Sequence, residues 1–248
     1  MPFTLCAFHE STTASKTTYA INALADPHVR VSDDDLWIPE ALPMLAAVWA
    51  GGAYVTLARL ESPTLRTLTP IDIIPFDLAT EPGSPPALVY QGHAPKLIGG
   101  GEALNAKFSA SQADILKALV WLCDGPLAQV TGEIFTVKAS TSVTLTANAW
   151  TNAALTFAQT LPKGRYQVVG MRAKSTGLVA ARLVFPGYAW RPGCLGFDAY
   201  NEVERPEFRH GRMGVWGEFD HDVPPTVDFL SISADSNPEV WLDLIKIA

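Results

Sequence analysis

Two histidines and three carboxylates fall within thirteen residues, the densest group of side chains in the sequence that could do chemistry. They are His210, Glu218, Asp220, His221 and Asp222. Imidazole and carboxylate groups bind metal ions or exchange protons in acid–base catalysis. Their spacing fits neither a His-Glu-x-x-His helix nor a calcium-binding loop. We therefore predict a polar loop between strands, with no metal ligand and no catalytic residue.

Other motifs of catalysis or cofactor binding are missing from the sequence. Gly99-Gly100-Gly101 is followed by Glu102 rather than by the Gly-Lys-Ser/Thr of a phosphate-binding loop. No Gly-x-Ser-x-Gly turn presents a nucleophilic serine. Cys123 precedes Asp124, whose charge disfavours a reactive thiolate, and the wide spacing of Cys6, Cys123 and Cys194 indicates no disulfide framework. These observations predict a protein that is not an enzyme and carries no cofactor.

An aromatic and arginine-rich stretch is the best candidate for an interaction site. Tryptophan and arginine are enriched at protein interfaces, and aromatic rings also stack on sugars. The predicted interface residues are Tyr188, Trp190, Arg191, Arg205, Arg209 and Arg212. We expect the arginines to pair with acidic groups such as Glu202 and Glu204, and the Glu81–Pro86 loop to lie near the same contacts. The alternative is that the aromatic residues only cover one end of a sandwich.

Composition narrows the class of protein. The 248 residues include 18 Lys or Arg and 25 Asp or Glu, for a net charge of −7. This acidic balance argues against binding nucleic acid by phosphate neutralisation. Charged residues are 17% of the chain, below the roughly 25% of ordinary soluble domains, while 48% are hydrophobic. We therefore expect a well-packed core and a surface that is partly hidden in an assembly.

The elements that must position these residues are predicted to be short strands. The chain has 18 glycines and 19 prolines, and turn signals separate segments of alternating polarity. We predict an all-β fold, a jelly-roll sandwich with two β-sandwich domains in tandem and few short helices. The predicted divisions are an N-terminal arm or helix at 1–35, a first domain at 36–127 and a second at 128–248.

Individual segments carry predictions of different kinds. The strands expected most firmly are 142–147, with Val143, Leu145 and Ala147 inward, and 240–247. Residues 115–122 favour a strand over a helix, whereas Leu42–Trp49 fits either. Thr12–Ala25 is predicted as a short helix or an arm. The N-terminus lacks the pattern of a signal peptide, and no apolar stretch is long enough to span a bilayer.

Two resemblances add to these predictions. The Leu161–Gln167 segment, with its Leu-Pro-x-Gly-x-Tyr pattern, and the Trp241–Ile247 ending are similar to carbohydrate-binding modules. The Ala58–Arg66 segment and the Pro95–Leu104 step, within a chain of two strand-rich halves, resemble capsid proteins of tailless icosahedral bacterial viruses. In that group two jelly rolls stand side by side in one chain, and three chains form a capsomer.

The viral resemblance implies a structural protein that self-assembles into a phage capsid shell. Its partners are then copies of itself, with three-fold symmetry as the expectation, and other shell proteins. Its location is the virion, after assembly in the host cytoplasm. The alternative function is a carbohydrate- or receptor-binding β-sandwich module, such as a virion spike, with a glycan as its partner.

Overall fold

The computed structural model describes residues 3–68, 71–73, 88–197 and 205–248. Strands account for 52% of the residues and helices for 3%. Strand content is therefore about twice the usual 20–25%, and the predicted all-β class is confirmed. No helix within the described ranges is long and apolar enough to cross a membrane.

Internal contacts divide the chain into two compact units. The first unit comprises residues 6–126, and the second comprises residues 1–5 together with 127–248. The predicted domain boundaries at 35/36 and 127/128 remain proposals about which segments fold independently.

The first unit is built on an 11-stranded sheet. Its strands are β1 (Phe3–Ser11), β2 (Lys16–Ala23), β3 (Val31–Ser32), β4 (Asp35–Trp37), β5 (Met44–Gly51), β6 (Val55–Glu61), β7 (Ile71–Ile73), β8 (Val89–Tyr90), β9 (Lys96–Leu97), β10 (Ala103–Ala110) and β11 (Ile115–Cys123), with a short helix α1 (Pro63–Leu68). The strand order is β3-β4-β10-β2-β1-β11-β5-β8, with β6 on β10, β7 on β6 and β9 on β5.

Burial in the first unit explains why the sequence patterns of β5 and β11 are also compatible with a helix. Every residue of β11 after Ile115 is buried, so its sequence, apart from Lys117, is apolar throughout instead of alternating. Periodicity cannot distinguish such a strand from a buried helix. The two strands pair antiparallel, with Val120 opposite Val48, which confirms the prediction for 115–122 and settles Leu42–Trp49 as mostly strand.

The second unit is built on a 9-stranded sheet. Its strands are β12 (Phe135–Ser140), β13 (Trp150–Ala154), β14 (Thr156–Phe157), β15 (Arg165–Lys174), β16 (Leu178–Val184), β17 (Gly193–Phe197), β18 (Gly217–Asp220), β19 (Thr226–Ser231) and β20 (Glu239–Lys246), with a 3-10 turn at Pro206–Phe208. The strand order is β13-β19-β16-β17-β15-β20-β12-β14, and β18 pairs with β15.

The core of the second unit lies along β15, β16, β19 and β20. Val168, Leu183, Phe229 and Leu244 are fully buried. β20 spans almost the whole of the predicted strand 240–247, which is confirmed. Its partners are β12 on one side and β15 on the other, so it occupies a central position in the sheet.

The strand predicted at 142–147 is wrong. The segment makes only isolated bridges, from Thr144 to Ser236 and from Ala147 to Ser231. Leu145 is buried, but Val143 is only half-buried and Ala147 is exposed. An alternating sequence indicates which face of a strand turns inward, but a strand also needs a continuous ladder of backbone hydrogen bonds. Here the bonds are isolated ones, such as that from the Leu145 N–H to the Asp235 carbonyl at 2.7 Å.

The predicted helix or arm at Thr12–Ala25 is also corrected. β2 occupies Lys16–Ala23 and pairs with β10 through Ile21 opposite Ala106, and with β1 through Ala23 opposite Phe8. The β-branched and aromatic residues Thr17, Tyr19 and Ile21 favour this conformation, whereas Thr18 has a φ of +47° and is not extended.

A pair of neighbouring basic residues, Lys117 and His9, makes the stability of the first unit depend on pH. Lys117, on β11, is 2% exposed, and its Nζ donates a hydrogen bond to His9 Nδ1 at 3.0 Å. Burial lowers the pKa of Lys117 to about 8. Burial, and then repulsion by Lys117, lowers the pKa of His9 to about 4 from its usual 6.5. The folded chain therefore resists protonation of His9.

We expect the free energy of unfolding to fall as the pH drops from 6.5 to 4, because the unfolded chain binds the proton that folded His9 refuses. A His9→Gln variant should show a smaller drop in melting temperature between about pH 7 and about pH 5. His28→Gln, which changes an exposed histidine, is the matched control. Equal pH dependence in wild type and His9→Gln would contradict the assignment.

Candidate interaction surface

The six predicted interface residues separate into three groups, all in the second unit. Arg191 and Arg209 are bonded to buried aspartates. Arg205 is half-buried and Arg212 is exposed. Tyr188, 46% exposed, and the half-buried Trp190 line a pocket. Their role at an interface stays a prediction, but the structure shows which of them are engaged inside the chain.

Arg191 belongs to a buried ion network around Asp228 on β19. Arg191 Nη1 lies 2.6 Å from Asp228 Oδ2, and Arg182 Nε lies 3.0 Å from the same oxygen. Asn152 donates to the other carboxylate oxygen at 2.8 Å. Arg182 is 1% exposed, stacks on Trp150 and donates to the carbonyl of Leu5 at 3.0 Å. Through this last bond, the network holds Leu5 of β1 against β16.

Arg209 is bonded to Asp243 on β20, which is fully buried. Arg209 Nε and Nη2 lie 2.7 and 2.9 Å from the two carboxylate oxygens, a bidentate geometry. Thr136 Oγ1 and the backbone N–H of His210 donate to the same carboxylate at 2.6 and 2.9 Å. Gly170 permits this approach, because a Cβ there would lie 2.6 Å from Asp243 Oδ2.

Hydrogen bonds decide the direction in which the pKa of Asp243 is shifted. Burial alone raises the pKa of this carboxyl, but the bonds from Arg209, Thr136 and the His210 N–H outweigh it and hold the pKa below its usual value. Arg205 is different: its pKa is lowered by burial, against the opposing charge of Glu207. The acidic partners proposed for these arginines, Glu202 and Glu204, and the Glu81–Pro86 loop lie outside the described residues.

An aromatic pocket is the main concave feature near Tyr188 and Trp190. It has a volume of about 360 Å³ and is lined by Phe3, Tyr188, Trp190, Val215, Trp216, Gly217 and Glu218. Phe3 and Trp216 meet edge to face, with ring centroids 5.3 Å apart. The sequence predicts that Tyr188 and Trp190 lie together. Phe3 comes from β1, Glu218 from β18, and Trp216 directly precedes β18.

Two polar groups of this pocket matter for its chemistry. Glu218 is held in place by Arg165 Nη2 at 2.8 Å and by the side-chain amide of Gln167 at 2.9 Å. The indole Nε1 of Trp216 is buried and has no hydrogen-bond partner among the described residues. A buried donor without an acceptor costs about 1–3 kcal/mol, and this nitrogen is shielded from solvent, so an outside acceptor could reach it only if the surrounding side chains moved.

The histidine and carboxylate cluster is spread out in three dimensions. His210 Nδ1 lies 3.6 Å from Asp243, His221 Nδ1 lies 3.8 Å from its neighbour Asp222, and Glu218 faces Arg165. Within the described ranges, no three His, Cys, Asp or Glu side chains group as a metal site. The predicted absence of metal and catalysis stays a prediction.

The three cysteines pack in the interior of the protein. All three are buried, and none forms a disulfide bond. Burial raises the pKa of the Cys123 thiol to about 11 and that of Cys194 further still. Thiols with raised pKa values are poor nucleophiles at neutral pH.

Comparison with known proteins gives one match. No protein-family model matches the chain, and no curated protein does. Among solved structures, the chain is similar to the crystal structure of the major capsid protein P2 from Bacteriophage PM2. The match covers 99% of this chain and 98% of that one, with 11% sequence identity and a TM-score of 0.28. This TM-score is too low for the match to support the fold, so the all-β assignment is based on the two sheets described above.

Proposed function

We propose that this chain is a structural protein that assembles with copies of itself, as a closed ring of three, into the capsomers of a viral shell. The observation that carries the proposal is the succession of two all-β units, each with its own sheet, in a chain that is only 17% charged. The resemblance of the Ala58–Arg66 and Pro95–Leu104 segments to phage capsid proteins supports it. The virion is the corresponding location.

The second unit presents apolar side chains that an assembly would cover. Val223, Ile232 and Ile247 are 51%, 42% and 42% exposed. Single exposed apolar residues are normal on a monomer, but an obligate interface needs about 2,000 Å² or more of buried area and draws on such residues. Closed rotational symmetry lets one repeated contact serve every subunit.

Arg212 is the best of the predicted interface residues for a contact at the polar rim. It is exposed, whereas Arg191 and Arg209 neutralise buried aspartates of their own chain. Charges at a rim steer association and fix register, and salt screens them.

We expect size-exclusion chromatography with light scattering to show an oligomer, three-fold in the simplest case. Arg212→Glu should shift it toward monomer more strongly at low salt than at high salt, and a cooperative melting transition establishes that the variant is folded. Lys163→Glu reverses another exposed charge and is the matched control. A wild-type protein that is monomeric at every concentration would refute the shell function. Normal assembly of Arg212→Glu would place the contact elsewhere.

A further inference from the structure

The aromatic pocket has the composition of a small-molecule site. Its volume of about 360 Å³ lies at the lower end of the 300–1,000 Å³ typical of ligand pockets. Four of its seven lining residues are aromatic, and the lining side chains carry few polar groups: the Glu218 carboxylate, the Tyr188 hydroxyl and the indole N–H groups of Trp190 and Trp216. Such a site selects ligands that combine apolar faces with hydrogen-bonding groups at fixed places.

A sugar ring has this combination. Its C–H faces pack on aromatic rings such as Tyr188 and Trp190, and its hydroxyl groups both donate and accept hydrogen bonds. A hydroxyl donates to the Glu218 carboxylate, which Arg165 and Gln167 already hold in one orientation. The Tyr188 hydroxyl in the lining can likewise donate to or accept from a sugar hydroxyl.

The charges around the pocket favour a neutral sugar over an ion. The net charge of −7 disfavours a carboxylated or phosphorylated sugar, although Glu218 itself is balanced by Arg165 and repels an anion only weakly. A cation would find aromatic faces, but the Glu218 carboxylate is already paired with Arg165 at 2.8 Å, so it offers less attraction than an unpaired acid.

We propose that the aromatic pocket binds a neutral saccharide of one or two rings. This inference goes beyond assembly and does not depend on it, since the residues involved are those of the pocket and not Arg212. A shell protein or a spike with this pocket would recognise a surface glycan.

The test is binding of methyl glycosides of glucose, galactose and N-acetylglucosamine, measured by saturation-transfer difference NMR on the full chain. Sialyllactose and choline chloride are the anionic and cationic probes. We expect at least one neutral glycoside to bind, with a dissociation constant on the order of 1 mM, and neither ion to bind better. Tighter binding of choline or of sialyllactose, or binding of no glycoside, would overturn the proposal.

Variants of the pocket make the test specific. Trp190→Ala and Tyr188→Ala should each weaken glycoside binding by about tenfold or more, a factor worth 1.4 kcal/mol. Trp241→Ala is the control: it removes a half-buried ring of the same unit, stacked by Arg172 on another part of the sheet, and should bind normally. Melting temperatures establish that each variant is folded.

The same variants separate this proposal from the shell function. Trp190→Ala should assemble like wild type, and Arg212→Glu should bind glycosides like wild type. If Trp190→Ala instead loses assembly and glycoside binding is absent throughout, the pocket is a subunit contact and the saccharide proposal is wrong. If wild type is monomeric but binds glycosides, the shell function fails and the saccharide site stands.

Discussion

Replacing Asp228 with alanine is expected to lower the free energy of unfolding by about 3–5 kcal/mol, the cost of leaving a buried charge unpaired. Arg182 is 1% exposed and Arg191 is mostly buried, and both bond to the same oxygen of Asp228. Without the carboxylate, two guanidinium groups face each other in a region that water hardly reaches. Asn152 would lose its acceptor as well.

Urea unfolding followed by tryptophan fluorescence measures this effect, because Trp150 stacks on Arg182 at 4.1 Å and reports on the network. Asp220→Ala is the control, since it removes an exposed aspartate at the end of β18 and should change stability by less than about 0.5 kcal/mol. If Asp228→Ala unfolds with the midpoint of wild type, the network does not contribute to stability as its geometry indicates.

Asp243→Asn is expected to destabilise the second unit by a similar amount, about 3–5 kcal/mol near neutral pH. Asparagine keeps the shape of the side chain but removes the charge that balances Arg209. It also places an NH₂ group where Arg209, Thr136 and the His210 N–H all donate, so at least one donor is left unpaired. Thr136→Val, which removes one neutral donor, should cost less.

The effect of Asp243→Asn should shrink in acid. The folded pKa of Asp243 lies below the 3.8 of the free side chain, so its contribution is complete above pH 3.8. As the pH falls further, toward the folded pKa, the wild type loses the same interaction by protonation. Urea midpoints of the two proteins should therefore converge below pH 3.8 and differ most near neutrality. A gap that is constant across this range would contradict the assignment.

These two ion pairs change how the predicted interface should be tested. Replacing Arg209 with glutamate would not test the predicted interface. In the structure that substitution sets a second carboxylate beside the buried Asp243, so a loss of assembly would report unfolding. Arg212, which is exposed, is the informative position for assembly instead.

The sequence by itself determined the fold class and the two strands β11 and β20. Alternating or continuous apolar segments, separated by proline and glycine turns, are sufficient for strands such as β20 and β11, because periodicity reflects which side chains a sheet buries. The same local signal failed at 142–147, where the alternating pattern is present but the segment has no continuous pairing with a neighbouring strand. It failed in the opposite direction at Thr12–Ala25, where pairing with β1 and β10 makes a strand.

The candidate sites were decided only by the tertiary structure. Arg182 and Asp228 are 46 residues apart, and Arg209 and Asp243 are 34 apart, so no local pattern connects them. The aromatic pocket likewise joins Phe3 to Trp190 and Trp216. A sequence shows which side chains carry charge or aromatic surface, but pairing and burial decide whether an arginine neutralises a core aspartate or meets a partner. The physical reason is that both depend on distances that strand pairing creates between residues remote in the chain.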